Sequence, residues 1–400
     1  MLHRHFRFQG VATMCWLSLL LVLLADNAKP PIDQIELPAG QLGNGNALLP
    51  RTPLLSPEDV VNLEASVRAN PDDLEARSRL VLFYMRPNPV RDANGRLNLQ
   101  PPAELEPHVL WLIEHHPELP ITGPASMRIS RMWPRKQLEQ ADPEPVAAEV
   151  QRLWQSQIDA HRDHAQVLYN AAQFFLQRDR QQALQLFEDV LQLEPDNVPR
   201  RVALGHVYLN ISLPEPPEVR LAAMKSALQH FEHVIANPMA DAAIPGITMT
   251  ALCGAARAAN QIPDDVALKR IAEQMLLPEK AAQPSEYLLA HTLLGLLAVR
   301  KDDLPSAREH LHKLATAPQP NRPSISRSPD ISLAAELYEK GERDAILEYL
   351  RTLRTQDERF AELIEKWISE LEDGRRPSFD FFPHVSDTTR NAFLFARFRR

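Results

Sequence analysis

Glycine is scarce in this chain: there are 12 in 400 residues, against 35 prolines. So few glycines leave little material for left-handed turn positions and argue against a fold built of strands and tight turns. Cysteine is scarcer still. There are two, and Cys15 lies in an N-terminal apolar stretch, so removal of that stretch would leave Cys253 alone. An intramolecular disulfide and a cysteine-built zinc site are then excluded. A surplus of positive charge is also missing. The formal net charge is −8, whereas phosphate binding needs a clustered basic face, so nucleic acid is not an expected partner.

The motifs of catalysis are absent as well. There is no G-x-S-x-G elbow and no H-E-x-x-H helix. The one glycine-rich stretch, "GNGN" (43–46), precedes no strand-to-helix switch that could cradle phosphate. Histidine is plentiful at 14, but its spacing is unhelpful. His115 and His116 precede Pro117, His161 and His164 flank a turn, and His310 and His312 face differently. His230 and His233 share a helix face, but Glu232 does not share it with them. A metal site wants three or four convergent ligands, so no metal or cofactor is expected. Cys253, inside "TALCGAA", reads as a small core residue. The acidic pairs Asp264–Asp265 and Asp302–Asp303 read as helix caps. No residue is singled out as catalytic, and the chain does not read as an enzyme.

What is present begins with an export signal. His3, Arg4, His5 and Arg7 precede the apolar run "VATMCWLSLLLVLLA" (11–25). That run is shorter than the roughly 20 residues of a membrane span. The expected location is periplasmic or secreted. Leu23 and Asp26 are poor residues for cleavage after Ala25 or Ala28, so the alternative keeps residues 1–28 as an N-terminal anchor. Residues 29–55 lack periodicity and read as a disordered linker. Order is expected from "SPED" (56–59), where Ser56 suits the N-cap, Pro57 the first helical position, and Glu58 and Asp59 the positive helix end.

From there the pattern is helical and repeats. In "AQVLYNAAQFFLQRD" (165–179), Ala171 and Phe174 lie on one face. In the following "QQALQLFEDVLQLEPDN" (181–197), Ala183 and Phe187 do the same, and Pro195 ends the run. Gly205 and Tyr208 follow Ala171 and Phe174 by 34 places, the period of a stack of helical hairpins. Small residues let paired helices approach closely, and Phe187 is expected to fill the wedge between one hairpin and the next. The size pattern returns at Leu80, Val81 and Tyr84, less cleanly at Gly254, Ala267 and Ile271, again at Gly295, Ala307 and Leu311, and last at Ala345 and Tyr349 behind Gly341.

This order of residues resembles the tetratricopeptide repeat. Counting from His164, the match covers the family's small residue (Ala171), aromatic (Phe174), alanine (Ala183), phenylalanine (Phe187) and proline (Pro195), with Val167 in place of its tryptophan. Most of 56–380 also looks like a group of uncharacterised exported bacterial tetratricopeptide proteins, which implies a fold and no chemistry. The implied architecture is all-α, a right-handed α-α superhelix of helical hairpins over 56–373. The best repeats are 164–197, 198–238 and 288–320. Insertions at 86–102 and 210–220 interrupt it, and 118–145 fits no repeat beyond one short helix.

The resemblance also implies a binding face. The family's concave positions fall on Ala165, Leu168, Ala172, Phe175 and Leu176, then on Pro199, Val202, His206, Leu209 and Asn210. Further along they fall on Leu289, Thr292, Leu296, Val299 and Arg300. This set is apolar and lacks the Lys/Asn clamp for a peptide carboxylate, so it suits an apolar or helical segment or is filled by the protein itself. The tail, 374–400, holds six of the 14 phenylalanines. It is expected either to pack along the array or to contact a membrane or partner. The reading is a non-catalytic protein- or peptide-binding scaffold, exported from the cytoplasm. The alternative is an assembly factor tethered at the membrane by its N-terminus.

Overall fold

The structure is a computed structural model. It describes residues 55–85, 90–91, 97–98, 102–130, 145–176, 178–211, 216–262, 264–277, 284–317, 331–356 and 360–379. The N-terminal apolar segment, nearly all of the linker and residues 380–400 of the tail therefore lie outside the described residues. Among those described, 17 helices and one two-residue ladder make up the regular structure. The chain is all-helical in class, as its scarcity of glycine suggested.

The chain falls into two compact units, residues 1–204 and 205–400. Unit 1 contains α1 (Pro57–Ala69), α2 (Leu74–Tyr84), α3 (Leu105–His115), α4 (Thr122–Ile129), α5 (Pro145–Ala160), α6 (Ala165–Phe175) and α7 (Arg180–Leu193). It also holds the ladder of β1 (Val90–Arg91) and β2 (Leu97–Asn98), which pairs Val90 with Asn98 and Arg91 with Leu97 in the expected insertion. The border runs through α8 (Val198–Ile211). Unit 2 continues with α9 (Pro217–Ile235), α10 (Ala240–Ala243), α11 (Ile247–Gln261), α12 (Asp265–Met275) and α13 (Pro284–Arg300). It ends with α14 (Leu304–Thr316), α15 (Ser332–Glu339), α16 (Arg343–Gln356) and α17 (Ala361–Glu372).

The helix starts follow from local chemistry. Ser56 closes a capping box: Asp59 N donates to Ser56 Oγ at 3.1 Å, and Ser56 N donates to Asp59 Oδ2 at 2.8 Å. The Ser56 N–H, and then its hydroxyl, donating to Asp59 Oδ2, hold that carboxyl below the usual range. Aspartate serves the same end at Asp73, Asp179, Asp264 and Asp303, whose side chains accept from Ala76, Gln182, Ala267 and Ser306. Each satisfies a donor that the first helical turn leaves unpaired. At the other end, α7 stops two residues before Pro195, and Glu194 leaves the helical region at φ −131° and ψ 69°, since a following proline crowds a helical residue. Gly341 turns the chain between α15 and α16 with φ 81°, a left-handed position costly for any other residue type.

Packing is local in sequence. In unit 1 the substantial contacts join α1 to α2, α2 to α3, α3 to α4 and α5, α4 to α5 and α6, α5 to α6, and α6 to α7. In unit 2, α11 packs on α9, α12 and α13. Likewise α13 packs on α12, α14 and α15, and α16 on α14, α15 and α17. Each of these pairs lies one or two helices apart. Among the described residues, then, helices bury their apolar faces chiefly against near neighbours in the chain.

Candidate functional site

The alternation of small and large side chains is where the repeat reading meets coordinates. Ala171 and Ala183 are fully buried, and Phe174 and Phe187 are each 1% exposed. Phe187 meets the Tyr169 ring edge-on at 5.3 Å. In unit 2 the same device is tighter. Phe231 of α9 sits between two glycines: a Cβ on Gly205 would lie 2.8 Å from its ring, and one on Gly254 would lie 2.4 Å from it. Neither position has room for a methyl group. A Cβ on Gly295 of α13 would come within 2.3 Å of Leu333 of α15. Ala307 is fully buried, and Tyr208, half-buried, stacks on His230 at 5.6 Å.

The expected concave residues are mostly internal. Leu168, Ala172, Phe175, Leu176, Val202, Leu209, Leu296 and Val299 are all buried, so their side chains already face protein. His206 and Asn210 are partly covered, and Arg300 is exposed. Arg300 donates to Asn260 of α11 and lies 3.4 Å from Asp265 of α12. The apolar set is therefore closed to a partner, and Arg300, with part of His206 and of Asn210, is what stays at the surface.

Part of the reason lies in a segment that fits no repeat. Asn170 of α6 donates from Nδ2 to the carbonyls of Pro117 and Leu119 at 2.7 and 2.8 Å. Its Oδ1 accepts from Gln166 at 2.8 Å, Gln166 Oε1 accepts from Arg200 at 2.7 Å, and Arg200 pairs with Glu194 at 2.7 Å. This chain of bonds staples the run before α4 onto α6. It leads α4 so close that a Cβ on Gly123 would lie 3.0 Å from the Asn170 Cα. Among the described residues of 118–145, α4 is a short helix of the expected kind, and it packs on α6; residues 131–144 lie outside the described residues. Sequence reasoning overlooked Asn170 as a staple. The only hint was a polar side chain on an otherwise apolar face.

A second network was also missed. Glu64 of α1 accepts from the Tyr84 hydroxyl at 2.9 Å and lies 3.1 Å from His108 Nε2. Arg77 lies 3.4 Å from His108 Nδ1, donates from Nε to the Pro71 carbonyl at 2.8 Å, and stacks over Trp111 at 4.4 Å. A carboxylate beside an imidazole is a familiar catalytic pair. Here both ring nitrogens are occupied, and His108 is 3% exposed. The arrangement ties α1, α2 and α3 together, and burial keeps the Tyr84 hydroxyl protonated well above its ordinary range.

The remaining titratable groups are placed as follows. His115 Nδ1 bonds the Trp111 carbonyl, and His116 pairs with Glu118. His164 Nδ1 accepts from Val167 N and caps α6. Burial, reinforced by Arg257, pushes His206 down to about 3, with Phe231 edge-on at 5.1 Å. Burial pushes the Cys253 thiol up to about 12, which leaves it a poor nucleophile. Among the described residues, no three His, Cys, Asp or Glu side chains gather where a metal ion could be held. No described helix is long and apolar enough to cross a membrane. No family model matches the chain, and a search of the curated proteins returns no match.

Proposed function

We propose that the protein is a non-catalytic, exported scaffold: a tetratricopeptide-like, right-handed superhelix of hairpins that binds a protein or peptide. The observation that carries this reading is Phe231 seated between Gly205 and Gly254. Such nesting of a large ring between two small residues is how one hairpin locks onto the next, and stacks of this kind commonly present a recognition surface. Neighbour-only packing in each unit supports the same reading.

The surface offered to a partner is polar and centred on reachable residues such as Asn210 and Arg300, because the apolar positions are spent on the core. The test is site-specific photocrosslinking in the native cells, with a benzophenone side chain at Asn210 or Arg300 and, as control, at exposed Val61 of α1. Discrete partner bands at the first two positions and none at the control are expected. Equal, diffuse labelling at all three would end the proposal. Membrane fractionation separates it from the tethered alternative: wash-resistant association that depends on residues 1–28 would favour the tether.

A further inference from the structure

The α13–α14 pair carries a feature that no binding surface requires. His291 Nδ1 of α13 lies 3.0 Å from His310 Nδ1 of α14, with ring centroids 5.2 Å apart. His291 is 4% exposed, and His310 is half-buried. The Tyr287 ring closes one side of His291 at 4.3 Å. One helical turn on, Gly295 sits so close that a Cβ would lie 3.2 Å from His310 Cβ and 2.3 Å from Leu333 of α15. The two imidazoles have little room to slide apart while the helices stay packed.

Two like nitrogens at this distance can share one proton and no more. One ring donates from Nδ1 and the other accepts. A first extra proton can enter on Nε2 of the donor ring and leave the bond intact. A second must occupy the acceptor's Nδ1, which sets two N–H groups and two positive charges head to head. We propose that His291 and His310 form an acid-released latch between α13 and α14. It is closed while the pair carries at most one extra proton and is opened by the second.

The surroundings fit this device. Lys313 repels added charge on both rings, and Glu309 attracts it, as does Asp303 toward His310. Glu309 is itself bound to Lys313 at 2.6 Å, which blunts its pull. From α15 the close neighbour is apolar, Leu333. Glu342, just before α16, faces Arg308, and Glu348 of α16 faces His312. The polar groups that α11 and α12 bring to α13, Asn260 and Asp265, engage Arg300 at the helix end. Burial, then His310 and Lys313, push His291 down to about 4, and burial and Lys313 lower His310. The two rings titrate as a coupled pair.

Nitrogen-resolved NMR of the full chain labelled with 15N-histidine tests the latch first at neutral pH. One Nδ1 should be protonated and the other bare. Matching tautomers on both rings would overturn the proposal without any variant being made. Hydrogen exchange by mass spectrometry, corrected for intrinsic rate, then follows residues 284–316 as pH falls from 7 to 4. Protection there should fall ahead of that in 332–372; segment 247–275 is no reference, because α11 brings Arg257 to the lowered His206. In His310→Asn, which can still donate to His291 but does not titrate, the acid-induced excess should shrink by about tenfold or more, the equivalent of one or more pKa units. Equal loss in 284–316 and 332–372, or an unchanged excess in His310→Asn, would also overturn it.

Discussion

Units 1 and 2 are both made of helices packed on their near neighbours, yet they cohere by different chemistry. Unit 1 leans on buried polar networks. Glu64, Tyr84, His108 and Arg77 join α1, α2 and α3, and Asn170, Gln166, Arg200 and Glu194 fasten the run before α4 onto α6. Unit 1 has one such close approach, at Gly123; unit 2 leans on it at Gly205, Gly254 and Gly295, which make room for Phe231 and Leu333, and burial there lowers His206 and His291. The difference has a local cause. Between α3 and α4 the carbonyls of Pro117 and Leu119 take a side-chain donor, Asn170. Around Gly205, Gly254 and Gly295 the closest neighbours are apolar side chains, and shape is what must be matched.

The largest expected effect probes unit 2. Phe231→Ala empties the space between two glycines that cannot move in to fill it, and should cost about 3–5 kcal/mol in chemical denaturation. In unit 1, Asn170→Ala should cost about 2–4 kcal/mol, because it strands the buried carbonyls of Pro117 and Leu119. A loss below about 1 kcal/mol would show that the staple is ornamental.

Acid should separate the units next. His206 and His291 have folded pKa values depressed to about 3 and about 4 from an ordinary 6.5. Below pH 6.5 the unfolded chain takes up protons that these sites refuse. Their stabilisation is therefore complete above 6.5 and is lost as pH falls toward 4 and 3. The lowered groups of unit 1 that titrate in acid are carboxylates, Asp59, Asp73 and Glu149, which matter only below their model values of 3.8 to 4.5. Between pH 6.5 and 4.5, unit 2 should lose on the order of 2–4 kcal/mol, while unit 1 holds. Segment-resolved hydrogen exchange reads this directly, and parallel loss in both units would erase the contrast. The smallest effect is common to both. Asp179→Ala and Asp264→Ala each remove one cap and should cost about 1 kcal/mol in thermal melts.

Much of the helical framework was legible beforehand. Ser56 and Pro57 mark the first described helix start, Pro195 marks a stop, and Ala183 and Phe187 are buried as their spacing implied. These features are written in residues within a few places of one another, where capping, proline sterics and a 3.6-residue period act. The candidate surface was less legible. Leu168, Phe175 and Leu296 have the right period for a lined face, but periodicity does not say whether that face is open or covered.

The amino-acid order alone determined helices, their ends, and which face of each is apolar, because those follow from interactions along one turn of backbone. Tertiary structure decided which apolar faces are shut, and that His291 meets His310. It also decided that Asn170 finds carbonyls 51 and 53 places away. Such pairings depend on how separate helices come to rest against one another, and no local pattern carries that information.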